Sequence, residues 1–129
     1  MSANIVTAGG VMTGVGSATL PAMALISSAS NRLELIELSI VNTTATACVW
    51  GLWKISTAGT PGTALTPAAH DVNDVTSGTL RGVYTGTAPT LGVDLGYRFS
   101  IPATAAAGIA LMPIGTGQIC YADWTWLEI

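Results

Sequence analysis

Charge is what this sequence has least of. Four Lys and Arg and seven Asp and Glu make up 9% of its 129 residues, where an ordinary globular domain carries about a quarter. The basic residues Arg32, Lys54, Arg81 and Arg98 are scattered, and the net charge is −3. No patch can neutralise a run of phosphates, and no basic stripe can hold an anionic bilayer, so nucleic acid and membrane surface are excluded as partners. Long apolar runs are missing as well. Pro21 interrupts one candidate and Pro113 follows the other, so none reaches the roughly 20 residues of a membrane helix. Met1 to Asn4 lacks the basic start of a secretory signal, and synthesis in the cytoplasm is expected.

Chemistry-bearing side chains are equally sparse. There is one His and there are two Cys. His70 with Asp71 and Asp74 is the best titratable constellation, but no second His or nearby Cys completes a zinc set, and Val75 and Thr76 stand where a calcium loop needs an oxygen ligand and glycine. A solvated loop is the expectation. Glu34 and Glu37 read as the solvent face of a strand. Gly14-Val15-Gly16 and Gly115-Thr116-Gly117 lack the glycine, helix or Lys of a phosphate loop, and no Gly-x-Ser-x-Gly elbow occurs. The residues point to no catalytic site, no metal and no cofactor; the chain is not expected to be an enzyme. Cys48 and Cys120 could pair, but without an export signal free thiols are the expected state. The sequon Asn42-Thr43-Thr44 is attributed to chance for the same reason.

What is present is half hydrophobic, with a mean hydropathy of +0.56. Since charge does not coat the outside, Thr, Ser, Gly and Ala must. Such an exterior suits subunit interfaces, where buried charge costs desolvation energy. Residues 1–31 read as an extended amino-terminal arm with one or two short strands, and residues 32–129 as a single domain. Leu33 to Ser56 holds two β-rich runs around Asn42-Thr43-Thr44 and predicts a hairpin. A β-bulge near Leu35-Ile36 would turn Leu33, Leu35, Ile36, Leu38 and Ile40 inward and Glu34, Glu37 and Ser39 outward. The run from Ala47 to Ile55 is apolar on both phases, as in a strand buried on both faces.

Further along, residues 64–70 predict a short edge strand limited by Pro67, Leu80 to Thr85 a strand, and Thr87 to Leu95 a loop through Pro89 and Gly92. Tyr97 to Ile101, Ile109 to Ile114 and Gln118 to Leu127 complete about eight strands, with Cys120, Ala122, Trp124 and Trp126 on one face. The fold class is all-β, an antiparallel two-sheet sandwich for which the jelly roll is the natural eight-strand form. Four Trp against one Phe could build a sugar-stacking platform, but core or subunit anchoring is the preferred reading.

Three stretches, VNTTATACVWGLWKISTAGTPGTALTPAAHD, TAPTLGVDLGYRFSIPA and GIALMPIGTGQICYADWTWLE, together resemble small structural proteins encoded beside the capsid genes of tailed bacteriophages, including capsid decoration or cement proteins. The resemblance runs from about Leu33 to Glu128 and leaves the arm uncovered. It implies a jelly-roll-like domain, commonly trimeric, on the outer surface of the capsid, clamping neighbouring major capsid protein subunits. No catalytic residue is carried over. The expected apolar contacts are Ile5, Val6, Val11 and Met12 of the arm together with Trp50, Trp53, Trp124 and Trp126. Alternatives are a tail or head-fibre component and a carbohydrate-binding module.

Overall fold

The computed structural model describes residues 4–28, 32–71, 76–95, 100–101 and 108–129. Among the described residues eleven strands form two antiparallel sheets packed as a β-sandwich, and no helix occurs. In chain order they are β1 (Asn4–Val11), β2 (Met23–Ile26), β3 (Leu33–Val41), β4 (Val49–Thr57), β5 (Ala64–Leu65), β6 (Ala68–Ala69), β7 (Thr79–Arg81), β8 (Thr90–Leu95), β9 (Ser100–Ile101), β10 (Gly108–Ile114) and β11 (Tyr121–Glu128). One sheet has the order β6-β1-β11-β3-β9 and the other β5-β7-β2-β10-β4-β8. Setting aside the short β5, β6 and β7, the pairing is nested: β1 lies against β11, β2 against β10, β3 against β9 and β4 against β8.

Where an extended amino-terminal arm with one or two short strands is expected, the described residues 4–28 hold two sheet strands, β1 and β2. All eight residues of β1 pair with β11, from Asn4 opposite Glu128 to Val11 opposite Tyr121. Val6 and Ala8 face inward and are buried while Ile5 and Thr7 face out, a two-residue alternation masked in the sequence by small side chains. Gly10, at φ 149°, supplies a backbone conformation that a side chain would resist. β2 is buried at all four positions because its sheet is covered on both faces.

The expected hairpin also resolves differently. β3 pairs with β11 in one sheet and β4 with β10 in the other, so residues 42–48 carry the chain between sheets. Asn42 shapes that passage: its Oδ1 accepts from Thr44 N (3.0 Å) and Thr44 Oγ1 (2.7 Å), and its Nδ2 donates to Thr46 O (2.8 Å). Seven residues exceed a tight turn, and each strand gains a longer apolar partner by leaving the other. The bulge in β3 is present, where the register shifts opposite Thr125/Trp126. Leu33 and Leu35 are buried, Leu38 and Ile40 pack against the core, and Ile36 is turned outward with Glu37.

The main core lies between the sheets. Val6, Leu33, Leu35, Ala122, Trp124 and Trp126 from one meet Met23, Leu25, Leu80, Ile109 and Leu111 from the other. A second cluster, Ala24, Ile26, Ile55, Ala110, Met112 and Tyr84, lies on the far face of the β2-β10-β4 sheet. Segments 17–21, 58–63 and 82–90 run together over it. Tyr84 N donates to Pro21 O (3.0 Å), Thr60 N to Thr87 O (2.9 Å), and Tyr84 Oη to Ala58 O (2.7 Å). Hence β4 is apolar on both phases: Trp50 and Leu52 face the first cluster, Trp53 and Ile55 the second.

Pro67 falls between β5 and β6, where the chain leaves the edge of one sheet for the edge of the other. Residues 90–95, expected as loop, form β8, an edge strand paired to β4 with two register irregularities that accommodate Gly92. Of the strand expected over Tyr97 to Ile101, residues 97–99 lie outside the described residues, as does Asp74; Ser100 and Ile101 form β9.

Candidate functional site

Strands β1, β3 and β10 end, and β4 and β11 begin, at one end of the sandwich. Strand register aligns their terminal residues: Val11 lies opposite Tyr121, Tyr121 opposite Val41, and Val49 opposite Ile114. With Ile119 in the turn before β11, these six side chains are between 38% and 63% exposed and contain most of the large apolar side chains on the described surface. The two sheets meet here through the Cys48 and Cys120 thiols, whose Sγ atoms are 3.8 Å apart. Three loops frame the end, residues 12–22, 42–48 and 115–120, and none contains Asp, Glu, Lys, Arg or His. Six exposed apolar side chains within an uncharged frame mark a surface that is cheap to dehydrate.

Beside this end, on the covered face of the β2-β10-β4 sheet, is an open cleft of about 230 Å³ lined by Ala18, Trp53, Met112, Pro113, Ile114 and Gly115. The Trp53 ring reaches its place because position 51 has no side chain. A Cβ there would stand 2.5 Å from Trp53 Cη2 and 3.3 Å from Ile114 Cδ1. Gly51 therefore lets a half-buried indole lie close to the sheet.

The residues expected to anchor a partner divide between surface and core. Val11 is at the apolar end and Trp53 in the adjoining cleft. Ile5 is exposed at the opposite end of β1, facing Leu127 across the ladder. Trp50 is half-buried and packs against the inner core. Val6, Met12, Trp124 and Trp126 are corrected to core positions: all four are buried by this chain's own opposite sheet and offer no surface. The side chains that sequence reasoning missed, Val41, Val49, Ile114, Ile119 and Tyr121, all flank the turn signals Asn42-Thr43-Thr44 and Gly115-Thr116-Gly117. Apolar residues on the outward phase beside such turns were the available sign.

Titratable groups are distributed, and among the described residues no three His, Cys, Asp or Glu side chains gather as a metal site. His70 extends the β6 ladder, its backbone N–H donating to Ile5 O (2.8 Å) while its Nε2 sits 3.0 Å from Thr7 Oγ1. Glu128, which no motif singled out, is buried at the end of β11. Its Oε1 accepts from Ser77 N (2.9 Å) and Ser77 Oγ (3.3 Å), and its Oε2 from Gly78 N (2.8 Å) and Trp126 Nε1 (3.0 Å). Those bonds tie residues 77–78 to the end of β11, so this carboxylate is structural. Burial pushes the Cys120 thiol up, with the neighbouring Cys48 acting in the same direction and the Trp50 indole opposing. The arrangement suits binding through apolar contact. No protein-family model, no curated protein and no solved structure matches the chain.

Proposed function

We propose that this chain is a structural protein of a phage particle, a jelly roll that seats on the outer surface of the assembled capsid and bridges major capsid protein subunits. The nested strand pairing supports the jelly-roll reading, because pairing first with last, second with second-last and so on is what results when one long antiparallel ribbon is wound into two sheets. The observation that carries the functional reading is the uncharged apolar end: Val11, Val41, Val49, Ile114, Ile119 and Tyr121, framed by three loops without a charged residue. A stable contact buries roughly 800 Å² on each partner. Six side chains make the centre of such a contact, and the Thr, Ser and Asn of the framing loops its polar rim.

A protein that binds only the assembled lattice stabilises that lattice by mass action, since its contacts must break before the shell opens. A homotrimer suits the role, because a closed ring of identical subunits presents the same end to three neighbouring shell subunits. The test is the copy number of this chain in purified particles of its parent virus, measured against the major shell subunit by quantitative mass spectrometry. A ratio near one, or a simple fraction such as one third, is expected. A few copies per particle would assign the chain to a tail or head fibre, and absence would overturn the proposal.

A further inference from the structure

We infer that Cys48 and Cys120 are a built cross-linking site, closing to an inter-sheet disulfide when the protein meets a disulfide oxidant. The inference stands on geometry and does not depend on the proposed particle. The two Sγ atoms are 3.8 Å apart, already in van der Waals contact and about 1.8 Å beyond bonding distance. Both residues lie just outside their strands, Cys48 immediately before β4 and Cys120 immediately before β11, so neither is locked into a ladder on both sides. Cys120 O accepts from Met12 N (2.9 Å), which fixes the backbone beside the thiol, and Cys120 Sγ already faces Cys48 Sγ in the core. Because β4 and β11 belong to different sheets, the bridge would fasten the sandwich across its apolar end.

Access sets the order of events. Cys48 is half-buried and Cys120 is buried, so the oxidant meets Cys48. With oxidised glutathione, the Cys48 thiolate attacks one sulfur of the oxidant, the glutathione S–S bond breaks, and one glutathione thiolate leaves with the proton that Cys48 gave up. Cys120 then loses its proton and attacks Cys48 Sγ. The protein S–S bond forms, the mixed disulfide breaks, and the second glutathione departs as thiol. Two protein thiols are oxidised by two electrons, and one glutathione disulfide is reduced to two thiols. Burial holds the Cys120 thiol protonated to higher pH than an ordinary cysteine, so the second step is slow at neutral pH and faster as pH rises. A chain in a reducing cytosol keeps both thiols, and one in oxidising surroundings closes the bridge.

The experiment incubates the full reduced chain with excess oxidised glutathione, then measures intact mass, free thiols in denaturant and the tryptic map without reductant. The expected product is a monomer lighter by two hydrogens, without free thiols, in which peptides 33–54 and 99–129 are joined and separate again on reduction. Its melting temperature should exceed that of the reduced chain by at least about 5 °C, since the bridge closes a long loop. In Cys48→Ser, Cys120 should stay unmodified over the same period. A persistent glutathione adduct on Cys48, a disulfide-linked dimer, two unreacted thiols, or prompt modification of Cys120 in Cys48→Ser would each overturn the inference.

Discussion

Replacing Glu128 by Gln changes almost no volume, and the structure makes it a sharp test of the carboxylate's role. Each carboxylate oxygen receives a backbone N–H, from Ser77 on one side and Gly78 on the other, and Oε2 also receives the Trp126 indole N–H. A Gln side chain offers one oxygen and one NH₂. With the oxygen toward Ser77, the NH₂ confronts two fixed donors, Gly78 N–H and Trp126 Nε1–H. With the oxygen toward Gly78 and Trp126, the NH₂ confronts Ser77 N–H alone, and the Ser77 hydroxyl can rotate to accept. The second orientation is cheaper, yet it sets an NH₂ against the part-buried Ser77 N–H at about 1–2 kcal/mol and weakens two charge-assisted bonds to neutral ones. Relief of the buried charge offsets part of this, leaving a net destabilisation of about 2–3 kcal/mol.

At about 4 °C per kcal/mol for a domain of this size, Glu128→Gln should melt about 8–12 °C below the wild type. Calorimetry measures the total loss, and amide hydrogen exchange at Ser77 and Gly78 locates it. Unchanged melting within about 2 °C, or a loss with Ser77 and Gly78 exchanging as in the wild type, would refute the assignment of Glu128 as the clasp between residues 77–78 and β11.

Two further outcomes follow from other parts of the fold. Burial raises the Tyr84 hydroxyl from 10.0 to about 12, against a smaller opposing effect of Arg81. The unfolded chain thus loses this proton first, so its contribution to stability is whole below pH 10 and is lost as pH rises toward 12. Denaturant melts across that range should show the decline, and Tyr84→Phe should flatten it while losing about 1 kcal/mol at neutral pH with the bond to Ala58 O; an equal decline in the variant would contradict the assignment. At the apolar end, Val41→Lys and Val49→Lys place a charge at exposed positions on the two sheets, so monomer stability should shift by less than about 1 kcal/mol. On the proposed capsid role, occupancy on particles should drop at least tenfold, and wild-type occupancy in both variants would remove this end from the proposed contact.

How much could be read in advance depended on whether a side chain's role was local. The alternation of Cys120, Ala122, Trp124 and Trp126 placed β11 and its buried face correctly, and the clustered Leu and Ile of β3 required the bulge that the register shows. The two-phase apolarity of β4 foretold a strand covered on both sides. Pairing partners were not legible, because β3 and β4 are adjacent in sequence yet belong to different sheets, and sheet membership is decided by β10 and β11, far later in the chain. One or two short strands are expected in residues 1–31, but the eight-residue length of β1 and its complete ladder to β11 were not legible, since Thr, Ala and Gly carry little hydrophobic signal. The apolar end was only partly visible: Val11 was singled out in an expected arm, and Trp124 and Trp126 drew attention that their size deserved for the core.

That division between core and end gives the fold its functional logic. The large aromatic side chains, Trp124 and Trp126, sit where opposite sheets enclose them, and their burial contributes to folding of the single chain. The outward apolar residues at the strand ends make no comparable contribution to the monomer, and each costs solubility while it faces water. Their grouping at one end, across five strands of two sheets and framed by loops that hold no charged side chain, keeps that cost in a single patch. On the proposed role, one charged substitution at this end would remove the contact and leave the fold intact, whereas a change at Glu128 would lower stability with the apolar end untouched. Binding and stability should therefore separate cleanly between variants at Val41 or Val49 and variants at Glu128.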